Sequence, residues 1–462
     1  MGVYLNPGNE EFAEIRRDIY VDKTGLIAYM NDLIDKPKPL VCFSRPRRFG
    51  KSFTANMLCA YYDRSCDSYA LFEDLQIADS DSFKVRLNQF NVVSFDVTGF
   101  IADAKENGTN VISEIKNALL QELREFFQDC IGAATRNLGR ALYEVVSKGN
   151  AKFVFVIDEW DALFREFKED TQLQKDYILF LRNLFKNKDL TSKTVAAAYM
   201  TGILPIKKFG TESALSDFKE FTMADPLILS EYVGFTESDV RTLCAAYHMD
   251  FEEMKQWYDG YSFEDVTSVY SPNSVMNAIK FRKYRNYWTQ TETFESLKRY
   301  IGENFDGLKD AIIMMLGGQR VKIDINTFQN DLTSFENKDD VLTLLIHLGY
   351  LAYDQPAGVV YIPNREVAEI FRVSTKGGRW REVERAIGQA EDLLEATLCR
   401  DSAAVAEALE LVHEECTSAL KYNDENSLAC VIYIGYYTAR NDYMIVREFP
   451  AGREFAVGGS QL

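Results

Sequence analysis

The stretch Ser44-Arg45-Pro46-Arg47-Arg48-Phe49-Gly50-Lys51-Ser52 holds the residue types whose spacing points most directly to chemistry. It follows the apolar run Leu40-Val41-Cys42-Phe43 and precedes a helical pattern of Phe53, Met57, Leu58 and Tyr61. Strand, tight loop and helix, with Gly-Lys-Ser at the helix entrance, is the arrangement phosphate binding needs. Successive backbone N–H groups of the loop and the helix N-terminus point at one anion. Read as a Walker A loop, Lys51 reaches the β- and γ-phosphates and the Ser52 hydroxyl holds Mg²⁺. Position 45 departs from that pattern, with Arg in place of Gly. The plainer reading is a basic turn between a strand and a helix, so a second motif has to decide.

That motif is Lys152-Phe153-Val154-Phe155-Val156-Ile157-Asp158-Glu159-Trp160-Asp161. Five consecutive apolar residues read as a strand buried on both faces. Carboxylates follow at its C-terminal end, the edge where open α/β sheets bind ligands. Asp158 is the expected Mg²⁺ partner, through the ion's water shell. Glu159 is the expected general base for an attacking water. Acidic residues also cap helices, which is the competing reading.

The elements that must position these groups alternate between strand and helix. Strands are expected near 39–44, 91–97, 153–158, 195–201 and 220–224. Helices are expected after Thr24, which could cap the first of them, after Ser52, over 110–130 and over 135–148. Such alternation predicts a doubly wound parallel sheet. The strand near 92–97 lies in sequence between the two motif strands, as in the P-loop class with an added central strand. Thr201 then occupies a position where a polar group could contact a γ-phosphate or place the water. A strand-terminal Thr without that role is the alternative.

After about 226 the pattern turns helical. Thr236 with Asp239 predicts a near capping box. Trp257-Tyr258-Asp259-Gly260-Tyr261 reads as core packing around a turn rather than a ligand platform. Ser271-Pro272-Asn273-Ser274 caps another helix. The runs His347–Tyr353 and Val359–Pro363 predict a hairpin, as in a winged helix.

At 462 residues two or three domains are expected. Hydrophobic content of 47% with 26% charged residues is that of a soluble globular protein. A net charge of −18 repels phosphate backbones, so charge does not support DNA as a partner. The dense basic patch Arg45, Arg47, Arg48 and Lys51 is accounted for by a triphosphate. No run has membrane-span length, and no signal pattern opens the chain. The 8 Cys form no Cys-x-x-Cys pair and read as reduced residues of a cytoplasmic protein. Three His without ligand spacing make a His-based metal site improbable.

With both motifs placed, the chain resembles the bacterial and archaeal AAA-ATPase-like family. The resemblance rests on Tyr20-Val21-Asp22-Lys23-Thr24, the Arg45–Ser52 loop, Ile157–Asp161 and Thr201-Gly202. It continues through Gly234-Phe235-Thr236, Trp257–Tyr261 and Asn364-Arg365-Glu366-Val367. The family's loop reads Arg-Pro-Arg-Arg-Phe-Gly-Lys-Ser, so Arg45 is a family trait, and Pro46 supplies rigidity by fixing one dihedral. The resemblance implies an α/β P-loop NTPase sheet over 1–226. It implies a helical and winged-helix region over 227–383 and an incomplete nuclease-like PD-(D/E)XK region over 384–462. That last region is expected to begin with a helix at about 384–421 and Tyr422–Asn426, and to continue in strands over Tyr443–Ala456. The metal-binding Asp and the Glu-x-Lys strand of such nucleases are missing after Ala456, so no nuclease activity is expected.

The residues expected to bind ATP are Arg45, Pro46, Arg47, Arg48, Phe49, Gly50, Lys51, Ser52 and Phe53. Ser52 and Asp158 are expected to hold Mg²⁺, and Glu159, Lys51 and Thr201 to act in catalysis. The function expected is Mg²⁺-dependent ATP binding, with hydrolysis that moves the C-terminal region. The alternative is a nucleotide-dependent switch, or a DNA-associated defence or mobile-element protein, with little turnover. A protein partner or a second copy of the chain is left open.

Overall fold

The apolar runs at the two motifs form neighbouring strands of one sheet. The computed structural model describes residues 2–37, 39–186, 188–206, 208–209, 212–288, 293–302, 305–330, 332, 335–375, 380, 384–385, 388–417, 431–437 and 439, with 444–446, 449–451, 454–456 and 459–461. Five parallel strands make the sheet: β1 (Leu40–Ser44), β2 (Asn91–Asp96), β3 (Phe153–Asp158), β4 (Val195–Gly202) and β5 (Lys219–Phe221). Their spatial order is β2-β3-β4-β1-β5. The expected α/β parallel sheet is present.

One topological reading needs correction. The strand found in sequence between the two motif strands is β2, and it lies at the sheet edge. The strand that lies in space between β1 and β3 is β4, in register through Phe43↔Thr201 and Ile157↔Met200. Sequence order cannot reveal this, because right-handed crossovers let consecutive strands skip over one another.

Each central strand is apolar on both faces because helices cover both. Phe43, Val154, Val156 and Tyr199 pack on one side with Met57 and Leu58 of helix Lys51–Tyr62. Cys42, Phe155, Ile157 and Met200 pack on the other with Leu119 of helix Val111–Phe126 and Leu142 of helix Leu138–Ser147. Alternate residues of one strand thus serve opposite cores.

Several local expectations are met and others move. Thr236 and Asp239 form a full capping box at helix Glu237–Tyr247. Thr24 stands at the N-cap of helix Gly25–Leu33 without a capping hydrogen bond; its hydroxyl donates to Asp22 Oδ1 at 2.7 Å. Ser271 likewise precedes helix Pro272–Phe281 without a cap bond. His347 ends helix Lys338–His347 rather than starting a strand. The hairpin is Ala352–Asp354 with Val359–Tyr361, joined by Val321–Lys322 in a three-stranded antiparallel sheet. Among the described residues, the stretch expected as one helix near 384–421 holds helices Ala390–Leu398 and Ser402–Thr417, and Arg400 between them has φ 59°. Tyr422–Asn426 lies outside the described residues. Strands expected over Tyr443–Ala456 occur as Met444–Val446, Phe449–Ala451 and Glu454–Ala456, and Gly459–Gln461 pairs with the first.

A buried acid ties elements of the helical region together. Glu366, in the first turn of helix Arg365–Ser374, accepts the Tyr287 N–H at 2.6 Å and the Ser274 hydroxyl at 2.7 Å. Burial pushes its carboxyl up to about 8, against these two bonds; Glu369 adds to the rise and Arg48 opposes it. The folded protein therefore keeps a proton that an unfolded Glu releases near 4.5. Stability from this group is full below the unfolded value and is lost as pH rises through the folded one. Glu366→Gln keeps an acceptor for the Tyr287 N–H. It is expected to flatten the fall of melting temperature between about pH 4.5 and about pH 8. Parallel melting curves for the two proteins across that range would rule the assignment out.

Candidate functional site

Parallel strands bring their C-terminal ends to one edge. Ser44 and the loop after it, Asp96, Asp158 and Gly202 all end strands there. The loop after β1 turns into helix Lys51–Tyr62 through Gly50, at φ 80° in the left-handed region that costs Gly least. Arg48 in the same loop is also left-handed, at φ 70°. A cavity of about 890 Å³ opens above this edge, within the roughly 300–1,000 Å³ range of ligand pockets. Its floor is the loop with Lys51, Ser52, Asp96, Glu159 and Arg165. One wall is Ile15, Ile19 and Val21, and the other is Phe235 and Met276.

Lys51 folds back over its own loop. Its Nζ donates to the Arg45 and Pro46 carbonyls at 3.4 and 3.2 Å and pairs with Glu159 Oε1 at 3.3 Å. Burial lowers the Lys51 pKa against the pull of Glu159, Asp161 and Asp158. The Ser52 hydroxyl donates to Asp158 Oδ2 at 2.6 Å. Burial pushes the Asp158 carboxyl above its ordinary value, while the Ser52 bond and the Lys51 charge oppose the rise. A hydroxyl and a carboxylate side by side at a phosphate-type loop form a hard-oxygen set suited to Mg²⁺. Neither acid caps the following helix. Asp158 takes Ser52 and the Glu159 N–H, and Glu159 takes Lys51 and Arg165.

Glu159 stands at φ 48°, a strained backbone for a non-Gly residue and a common mark of working side chains. Burial raises its carboxyl pKa, with the Lys51 and Arg165 charges holding it back. Arg165 bonds Glu159 through Nη2 and Asp161 Oδ2 through Nε at 3.0 Å. Asp161 is fully buried and accepts the Ile203 and Leu204 N–H groups at 3.2 and 3.0 Å. Gly202 makes this approach possible. A Cβ there would stand 2.4 Å from Asp161 Oδ1.

Two expected site residues are placed differently. Arg45 lines the cavity but is only 2% exposed, with its guanidinium engaged by the protein. Its guanidinium donates to the Tyr232 carbonyl, Thr54 Oγ1 and Tyr199 OH, and lies 4.7 Å from the Phe43 ring centroid. Arg45 thus pins the underside of the loop to β1 and β4, which is why Arg is tolerated where Gly is usual. Thr201 is fully buried, and its hydroxyl donates to the Phe43 carbonyl at 2.9 Å, tying β4 to β1 instead of facing the cavity. Phe49 is buried against the Tyr261 ring, 5.5 Å between centroids. Pro46 lies under the turn at Gly349. Arg48 donates to the Tyr287 carbonyl at 2.8 Å. Arg47 is exposed, and Phe53 is 63% exposed at the cavity.

Asp96 and Arg165 were not anticipated as site residues. Asp96 could have been found as a second acid ending a buried strand, and it lies in register with Asp158. Arg165 could have been found four residues after Asp161, one helical turn away.

The sheet order, with the phosphate-type loop at the end of β1, is that of a P-loop NTPase-like fold. The family model described as "Predicted AAA-ATPase" matches residues 7–211, so this part of the chain is similar to that family. That similarity points to nucleotide binding. No curated protein matches the chain. Among the described residues no helix is long and apolar enough to cross a membrane.

Proposed function

We propose that this protein binds ATP in the cavity at the sheet edge and hydrolyses it with the help of Mg²⁺. The observation that carries the reading is the convergence of Lys51, Ser52 and Glu159 on one cavity floor, with Asp158 bonded to the Ser52 hydroxyl behind it. The loop N–H groups and Lys51 hold the phosphates. Ser52 and Asp158 hold Mg²⁺, which neutralises charge on the phosphate oxygens when bound. Glu159 accepts a proton from water as the water oxygen bonds the terminal phosphorus and the bridging oxygen leaves with ADP.

The domain reading accompanies it: an ATPase unit over 1–226, a helical and winged-helix unit over 227–383, and a third region over 384–462. The loop touches the second unit through Phe49 on Tyr261, Pro46 at Gly349 and Arg48 on the Tyr287 carbonyl. Phosphates that reshape the loop therefore push on that unit, and this supports a conformational output.

Titration calorimetry with ATP, and phosphate release, each with Mg²⁺ and with a chelator, test the proposal. ATP is expected to bind with Mg²⁺ and to bind about tenfold or more weakly without it, with phosphate release abolished. Absence of ATP binding under both conditions would end the reading. A second reading, a switch with little turnover, is favoured by one observation: the would-be base is tied to both Lys51 and Arg165. Tight binding without phosphate release would select it.

A further inference from the structure

We infer that Arg165 reads the third phosphate of a bound nucleoside triphosphate, exchanging its bond to Glu159 for one to that phosphate. The inference rests on the nucleotide reading of the cavity.

Four charged groups form a chain alternating in sign: Lys51, Glu159 and Arg165 line the cavity, and Asp161 is buried behind Arg165. The Glu159 carboxylate bridges the two cations, with Oε1 on Lys51 and Oε2 on Arg165. Lys51 and Arg165 are thus one anion's breadth apart, and both line the cavity. A carboxylate in that place does what an incoming phosphate oxygen pair would do. The phosphates nearest the loop are cradled by backbone N–H groups on the near side of Lys51. Only the outermost phosphate extends past Lys51 toward Arg165. ADP, one phosphate shorter, leaves Arg165 on Glu159.

Arg165 is built to wait in that position. Its side chain is 11% exposed, so little water competes for it. Nε is tethered to Asp161, which is itself held by two backbone N–H groups. The tether fixes the guanidinium plane and leaves the outer nitrogens for an anion, a preorganised fork. Charge-assisted bonds from Arg to phosphate are among the strongest available, and a dianion outcompetes a single carboxylate. The exchange frees Glu159 from one cation when a triphosphate is present. The same event that recognises ATP therefore turns the carboxylate toward water.

The test measures binding of ATP, ADP and inorganic tripolyphosphate to the full chain, wild type, Arg165→Ala and Arg165→Lys, with Mg²⁺. Wild type is expected to bind ATP about tenfold or more tightly than ADP. In Arg165→Ala that gap should shrink to about threefold or less, with ADP affinity unchanged, and tripolyphosphate should weaken as ATP does. Arg165→Lys keeps the charge without the fork and should restore part of the gap. A purely structural arginine would lower ATP and ADP affinity together, which would overturn the inference. So would a wild-type protein that does not prefer ATP, or a gap that survives in Arg165→Ala. If Arg165→Ala does not fold, Arg165→Lys decides on the same ratio. If wild type binds none of the three ligands, the nucleotide reading itself fails and takes the inference with it. Binding of both nucleotides with an ATP-to-ADP gap that mutation leaves unchanged removes only the inference.

Discussion

Lys51→Ala is expected to weaken ATP binding by at least about a hundredfold, or about 3 kcal/mol. The amine is the cation closest to the loop carbonyls of Arg45 and Pro46, so it sits over the cradle in which phosphates would lie. Its side chain is 5% exposed, and each bond it makes there is little screened by water. The folded state should tolerate the change. Removal of Lys51 takes away a buried charge whose desolvation lowers its own pKa, and Glu159 keeps Arg165 as a partner. Calorimetric titration with ATP, beside a melting curve, separates the two effects. Unchanged affinity in a folded variant would mean that the cavity does not take phosphate at this loop.

Glu159→Gln is expected to bind ATP at least as tightly as wild type while phosphate release falls by about a hundredfold or more. The amide removes the anion that competes with phosphate for Lys51 and Arg165, so affinity should rise. It also removes the proton acceptor, so turnover should fall. The strained φ of 48° fits a side chain held for chemistry rather than for packing. Phosphate release by the variant at the wild-type rate would assign the base elsewhere. Asp96 would be the next candidate, since it lies in the same cavity and in register with Asp158. Loss of binding together with turnover would mean that Glu159 serves the loop's structure.

The two variants also bear on how binding reaches the rest of the molecule. Phe49, between Arg48 and Gly50, is 2% exposed and packs on Tyr261, whose hydroxyl donates to the Gly349 carbonyl at 2.6 Å. The same loop that carries Lys51 therefore carries an aromatic plug into the helical region. A loop in two arrangements would place that plug in two arrangements, which is the physical content of coupling between the units.

Much of this was legible in the chain before any coordinates. Local residue order alone settled the strand–loop–helix around Lys51 and the buried strand ending in Asp158. It also settled the capping box at Thr236 and the hairpin before Pro363. Each depends on neighbours within a few residues: apolar runs, a Gly at a turn, a hydroxyl before a helix. Pairing across distance was not legible. Only the tertiary structure decided that β4, not β2, separates β1 from β3, because strand order depends on crossovers that no local pattern encodes. It set the Arg45 guanidinium against three acceptors and the Phe43 ring at the cavity's edge, partners that its place in a basic loop does not reveal. It spent the Thr201 hydroxyl on the Phe43 carbonyl. It brought Arg165 to Glu159 by way of Asp161, which Gly202 on another strand leaves room for. The side-chain types available for chemistry are a property of the sequence. Which of them face the cavity is settled by packing, since a buried polar group goes to whatever partner the fold places within hydrogen-bond reach.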